Sequence, residues 1–383
     1  MLYAIIFVLI VISQVIFLLL KKKPQEITDP PDSVEQTRNT IFLYNRNESI
    51  VNNICYIILG AILVFIAAFR DRIGFDWYSY MFYHSLITTN DLGMIDLVRH
   101  TNMEPGFILL NMITPFALFV FAIAVISVTT KLWSINKYSE AKYISLLMYF
   151  SGIFFFFDMS GIRQGLAISV LLISLKFVLD KKLIYFLICV AVASSFHLSA
   201  VFFIPLYFLN AREVSRKVMY IVTAGAFVFS FINLIPIAEF FTEFIPIWSF
   251  RHRIGYYLQS QEQVSYTLSL IKRIAFLVIF VEFFRIKNVK DRLALICLNG
   301  YWLSIVILGA FSSIPTIASR GVAVLYILQI FVFAILFRRS EKLVFKFAIF
   351  AIVVALSINT MYGIFTHDMV WFIPYNSIFG FSW

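Results

Sequence analysis

The feature that most constrains this chain is a series of apolar runs long enough to cross a bilayer, near 2–20, 51–69, 106–130, 142–157, 162–179, 217–235, 266–284, 293–311, 320–337 and 343–362. A helix needs about 20 apolar residues to span a hydrocarbon core about 30 Å thick. Runs of this length and spacing predict an all-α, polytopic integral membrane protein. Composition points the same way: of 383 residues 61% are hydrophobic and only 14% charged, too little polar surface for a soluble chain of this size. The net charge of +10 is then cytoplasmic-loop charge rather than a nucleic-acid surface, because basic residues collect in the cytoplasmic loops of membrane proteins.

The stretch 183–211, "LIYFLICVAVASSFHLSAVFFIPLYFLNA", is too long for one upright span and too short for two. Asp180-Lys181-Lys182 precede it and Arg212, Arg216 and Lys217 follow it, so both ends are expected in the cytoplasm. It therefore enters and returns as a short hairpin with His197 at the turn. That gives about 12 membrane-entering helices with both termini outside. The first run has no basic residue before it and Lys21-Lys22-Lys23 after it, the reverse of a secretory signal, and is expected to be a retained helix. The whole chain, 1–383, is one transmembrane domain. Its polar segments are a cytoplasmic linker at 21–49, where Pro24, Pro30 and Pro31 break any helix, a first outer loop at 70–105 and a second at 236–265. Cys55, Cys189 and Cys297 each lie in an apolar run and are read as small core hydrophobes.

On this topology nine of the 31 Lys and Arg fall outside: Arg70, Arg72, Arg99, Arg163, Arg251, Arg253, Lys272, Arg273 and Arg320. Almost all are arginine, whose planar fork of donors suits phosphate and pyrophosphate. All five histidines (His84, His100, His197, His252 and His367) fall there as well. Arg163 lies beside Gly161 where a helix begins, a position the helix dipole disfavours for a cation and favours for an anion. The alternative is a structural pair between Arg163 and Asp158. Arg320 follows "SSIPTIAS" and repeats the placement of Arg163. Arg70 and Arg72 flank Asp71, and at least one of them belongs to a solvated cluster. In the first outer loop Asp76 and Glu104 are candidate bases, although Glu104-Pro105-Gly106 also reads as the start of a helix. Tyr80 and Phe82 fit either an interfacial aromatic belt or a sugar platform. His197 can donate, accept or shuttle a proton, or simply bond to backbone. Motifs of metal-dependent nucleotide-sugar transferases, metalloproteases, ATPases and serine hydrolases are absent from the sequence; no metal site and no cofactor is expected.

Five motifs, "GFDWYSY" (74–80), "EPGF" (104–107), "GIRQGLAI" (161–168), "FHLSA" (196–200) and "IPYNSIF" (373–379), together resemble the EpsG-like family of Wzy-type polysaccharide polymerases from about residue 50 to the C-terminus. The resemblance implies an enzyme of the bacterial cytoplasmic membrane. It would join oligosaccharide repeat units carried on undecaprenyl pyrophosphate, on the outer side and without a metal. On that basis Arg163, Arg253 and Arg320 are expected to hold pyrophosphate, and Asp76 and His197 are competing bases. Gln164, Tyr78 and Glu104 would contact sugar hydroxyls, and Arg70 and Arg273 are further substrate-binding candidates. Expected partners are the lipid-linked oligosaccharide, membrane lipid, a flippase and a chain-length regulator, with no nucleic acid. Two other functions compete. A flippase would place its charge along a path open to both sides, often in repeated halves, and an O-antigen ligase-like transferase would carry a larger outer loop.

Overall fold

The computed structural model describes residues 1–19, 31–90, 92–242, 244, 266–367 and 369–383. Among these the backbone is helical, with only isolated β-bridges. Helices α1 (Leu2–Leu19) and α2 (Pro31–Ala68) lead into α3 (Trp77–Thr89), α4 (Met94–Thr101), α5 (Pro105–Ile113) and α6 (Phe116–Tyr138). Helix α7 (Lys142–Met148) continues as a π-helix over Tyr149–Asp158, and a tight turn starts α8 (Ile162–Leu179). Then come α9 (Leu183–Ser194), a 3-10 segment Leu198–Phe203, α10 (Ile204–Leu209), α11 (Arg216–Phe229) and α12 (Ile235–Thr242). The last helices are α13 (Thr267–Ile286), α14 (Arg292–Ala310), α15 (Pro315–Tyr326), α16 (Gln329–Arg339), α17 (Leu343–His367) and the short α18 (Met369–Phe372).

Six stretches among the described residues are long and apolar enough to cross a membrane: Ile50–Ala68 of α2, α6, α8, α14, α15–α16 taken together, and α17. Leu2–Leu18, Leu183–Ser194 and Leu198–Leu209 are shorter apolar helices. The segment 183–211 does double back. Phe186 near the start of its first arm stacks 6.3 Å from Phe203 and 5.0 Å from Tyr207 near the end of the second. The first arm has 12 residues and reaches about 18 Å at about 1.5 Å per residue, short of a full crossing. At the turn His197 and Ser199 are buried, while Phe196 and Leu198 beside them are half-buried.

Several expected boundaries change. Residues 70–105, expected as the first outer loop, are largely helical: α3 and α4 have their own core, in which Trp77, Tyr80, Leu97 and Phe107 pack with Phe119 of α6 and Ile162 of α8. The run 106–130 divides at Thr114-Pro115 into α5 and α6, and α6 extends to Tyr138. Lys131, expected at the cytoplasmic surface, is consequently inside a span. Within 21–49, the helix begins at Pro31, where a missing N–H costs nothing, and runs unbroken into the first span.

A buried polar cluster joins α6, the π-helix and α8. Lys131 Nζ lies 2.8 Å from Asp158 Oδ1, and both side chains are at most 1% exposed. The ammonium also donates to Ser127, Ser169 and the Gly165 carbonyl, while Tyr149 donates to the other Asp158 oxygen at 2.7 Å. Unpaired, either charge would be very costly at this depth; together their hydrogen-bonding groups are satisfied. The C-terminal segment closes the other flank. Ile378 N–H donates to the Phe69 carbonyl, Asp71 N–H to that of Asn376, and Gly74 N–H to that of Trp371. Gly74 has φ of +102°, and a Cβ there would strike the Met159 carbonyl, which explains a glycine at this crossing.

Candidate active site

The π-helix aims the first functional residue. Its wider turns bond Met159 N–H to the Phe154 carbonyl and Gly161 N–H to that of Phe156, five residues back. The chain leaves this register in a turn that turns Asp158 inward and starts α8 at Ile162. Gly165 is packed so close to the Phe157 carbonyl that a Cβ would collide with it. Arg163, the second residue of α8, therefore stands on a rigid corner.

Its partner is Glu104, not Asp158. Arg163 Nη1 lies 2.5 Å from Glu104 Oε2, with side-chain exposures of 16% and 8%. The guanidinium carbon sits 5.5 Å from the centre of the Phe107 ring, and Nε is buried without a partner. Asp158 is fully engaged by Lys131, Ser127 and Tyr149, so the alternative pairing drawn from sequence is corrected. Glu104 occupies the N-cap position of α5, but its side chain does not cap the helix. It accepts instead from Arg163 and from the Leu198 amide at 3.4 Å. It thereby links Arg163 to the hairpin tip. Gly106 completes this junction: its N–H donates to the Ser195 carbonyl at 2.8 Å, an approach that a side chain would block.

At the tip, His197 Nδ1 accepts from Ser199 N–H at 3.3 Å and faces Ser199 Oγ at 2.8 Å. Ser199 Oγ in turn accepts from Gln164 Nε2 at 3.1 Å, which leaves its own proton for Nδ1. With both partners donating to Nδ1, the ring proton is assigned to Nε2. Gln164 also donates to the Arg320 carbonyl at 2.8 Å, tying α8 to α15. Its amide nitrogen is used in this way, so its oxygen is what it can offer a ligand.

These elements enclose a cavity of about 340 Å³ lined by Asp76, Tyr80, Arg163, Gln164, His197 and Arg320, with Phe75, Phe156, Phe157, Gly161 and Ser319. Five of the residues expected from sequence thus meet on one cavity. Arg320 is there for a different reason than expected, since α15 starts at Pro315 and Arg320 stands on its second turn rather than at its N-terminus. Tyr78 does not reach the cavity and is 50% exposed, whereas Tyr80 is 5% exposed and lines it. On a helix beginning at Trp77 the i+4 neighbour of Asp76 shares its face and the i+2 residue does not. That spacing was the available signal for Tyr80, which the sequence leaves between an interfacial belt and a sugar platform. Burial and the nearby Asp76 carboxylate raise the Tyr80 phenol above its ordinary range. It keeps its proton and lies 3.4 Å from Asp76 Oδ2 as donor.

Arg70 is 2% exposed and belongs to the wall rather than to the cavity. It donates to the Ala67 carbonyl, lies 5.6 Å from the Trp77 ring centre and bridges to Ser377 through its backbone. Burial lowers its pKa to about 10, so it remains cationic near neutrality. Arg72 is the solvated member of that pair, beside Asp71. Arg273 lines a second, adjoining cavity. Arg253 lies outside the described residues. Among the described residues no group of three or more His, Cys, Asp and Glu side chains could hold a metal ion.

A family model described as the EpsG family matches residues 53–377. The chain belongs to the EpsG family. EpsG-like proteins are Wzy-type polymerases, and the matched region spans every motif that contributes to the cavity. No curated protein and no solved structure matches the chain. In this EpsG-family chain "EPGF" meets "FHLSA" at the Glu104–Leu198 contact and the residue just before it at the Gly106–Ser195 contact. "GIRQGLAI" joins them through Arg163 and Gln164, and the stretches ending in "GFDWYSY" and "IPYNSIF" meet beside α2. The separate motifs are pieces of one three-dimensional junction.

Proposed function

We propose that this EpsG-family chain is a polysaccharide polymerase that joins undecaprenyl-pyrophosphate-linked oligosaccharide repeat units at this cavity, on the outer side of the bacterial cytoplasmic membrane. The observation that carries the proposal is the meeting of Asp76, Arg163, Gln164, His197 and Arg320 around one space of about 340 Å³. Those residues supply a carboxylate, two guanidinium groups, an amide and an imidazole, which is the set needed for glycosyl transfer from a diphosphate.

Asp76 is the base. Its carboxylate takes the proton of the acceptor sugar hydroxyl as that oxygen attacks the anomeric carbon of the donor. The bond from that carbon to the pyrophosphate oxygen breaks, and its electron pair leaves with the lipid diphosphate. Arg163 and Arg320 stabilise the charge that develops there without a metal. His197, protonated on Nε2, serves as a hydrogen-bond donor, and its bonded Nδ1 supports the choice of Asp76 as base. Tyr80 holds Asp76 in place, and the Gln164 oxygen is offered to a sugar hydroxyl. A transporter would be expected to continue its charge along an open path. The charged pair deeper in the bundle, Lys131–Asp158, is instead fully enclosed and lines neither cavity.

The test is a deletion strain complemented with wild-type or Asp76→Asn protein. The deletion is expected to accumulate single repeat units and no long chains, with long chains restored by wild type and not by Asp76→Asn. Lipid-linked units trapped facing the cytoplasm in the deletion strain would reject the polymerase in favour of a flippase.

A further inference from the structure

A second cavity, of about 380 Å³, adjoins the first, and the two share Phe156, Phe157 and Ser319 in their linings. It lies between the π-helix, α13, α15 and α17. The α15–α16 residues that line it run from Ser319 to Ile330, so it extends roughly 15 Å along that span at about 1.5 Å per residue. Its wall is mainly apolar, with Ile153, Phe276 and Val322 among its residues, yet it also contains Lys272 and Arg273 and, among the described residues, no carboxylate. Arg273 stacks 3.7 Å from the Tyr326 ring centre and its Nε lies 3.3 Å from Ser269 Oγ, while its Nη1 is buried without a partner. Tyr266, at the head of α13, donates to the Pro315 carbonyl at 3.1 Å, which sets the start of α13 beside the start of α15. An apolar slot that carries two basic side chains and adjoins a polar site through Phe157 and Ser319 is complementary to an amphiphile with an anionic head and a long hydrocarbon tail.

We propose that this second cavity seats the proximal hydrocarbon chain of the polyprenyl diphosphate carrier, with Arg273 and Lys272 attracting its anionic head. The proposal rests on the polymerase reading above and adds to it the location of the carrier. Arg273 thereby regains the substrate-binding role expected of it from sequence, on the lipid side rather than the sugar side.

The experiment uses the full chain in nanodiscs of phosphatidylethanolamine and phosphatidylglycerol. The probe is a sugar-free polyprenyl diphosphate carrying a photoreactive diazirine on a proximal isoprene. Labelling is expected on residues of this cavity, such as Ile153, Phe276 or Val322, and is expected to fall at least tenfold in Ala323→Leu and in Gly152→Leu, which fill the slot from two different helices. Requiring the same loss from both variants, at normal membrane levels, separates filling from misfolding. Arg273→Gln is expected to weaken labelling by the diphosphate and to leave labelling by the matching polyprenol unchanged. The proposal is overturned if labelling falls only on outer helix faces or is unchanged in both filling variants. It is also overturned if a diazirine phosphatidylglycerol labels the same residues and the diphosphate does not displace it, which would make the slot an ordinary phospholipid seat. Long-chain synthesis, measured in parallel, keeps the two readings apart. Unchanged labelling in the filling variants with normal polymerisation rejects the lipid seat alone. Cavity labelling by a wild-type protein that makes no polymer from lipid-linked units rejects the polymerase alone.

Discussion

Replacing Arg163 with and without its partner separates a structural ion pair from a ligand for the leaving group. Arg163 Nη1 is 2.5 Å from Glu104, both side chains are mostly buried, and Nε remains buried without a partner. Arg163→Ala leaves the Glu104 carboxylate uncompensated, which costs about 3–5 kcal/mol for a buried pair and is expected to lower the amount of inserted protein. Arg163→Gln combined with Glu104→Gln removes both charges, so the protein level is expected to recover. Activity is not expected to follow. If the remaining edge of the guanidinium holds the departing diphosphate, its loss raises the barrier by about 3–4 kcal/mol, a factor of several hundred in rate. Arg163→Lys retains a charge for Glu104 but cannot offer a second planar edge; near-normal protein with polymer well below a tenth of wild type is expected. The assay is long-chain polysaccharide per unit of membrane-inserted protein. Wild-type polymer from the double variant, or near-normal polymer from Arg163→Lys, would refute the assignment and leave Arg163 as a strut.

Asp76→Asn is expected to reduce polymer formation by at least about 100-fold, the range for loss of a general base, while His197→Gln, which keeps an N–H donor, retains more activity than His197→Ala; the reverse order in initial rates would exchange their roles. Gly106→Ala places a Cβ 2.8 Å from the Ser195 carbonyl oxygen, and overpacking of about 1–3 kcal/mol is expected as a lower aggregation temperature in detergent. An unchanged temperature would mean that the hairpin tip yields freely. Asp158→Asn leaves Lys131 buried without its counter-charge and is expected to cost about 3–5 kcal/mol, with Lys131→Met plus Asp158→Leu recovering most of the yield. Equal yields from the single and paired variants would show that the pair contributes no stability. A cysteine at Val214 in a chain whose three native cysteines are replaced by serine is expected to react only with reagent applied from the cytoplasmic side, and reaction from outside would invert the hairpin.

The span boundaries were largely legible because membrane insertion acts on local sequence. A bilayer demands a length of continuous apolar helix, and α8 occupies the same residues, 162–179, that its apolar run marks. The doubling back of 183–211 was legible for the same reason, from length and flanking charge. Motif residues could be named one by one, and five of them line the cavity. Their partners could not be named. Arg163 is paired with a residue 59 positions away rather than with nearby Asp158, because the π-helix turns that carboxylate toward Lys131 on α6. Arg70 looks like a surface arginine until the C-terminal segment covers it, and Tyr80 displaces Tyr78 because residues 70–105 fold as helices with their own core. The tautomer of His197 was likewise not legible in sequence, since it depends on Ser199 and, through it, on Gln164. Hydrophobic length and helix periodicity are properties of a segment. Ion pairing, burial and proton placement depend on which distant segments pack together, and only the tertiary structure decides that.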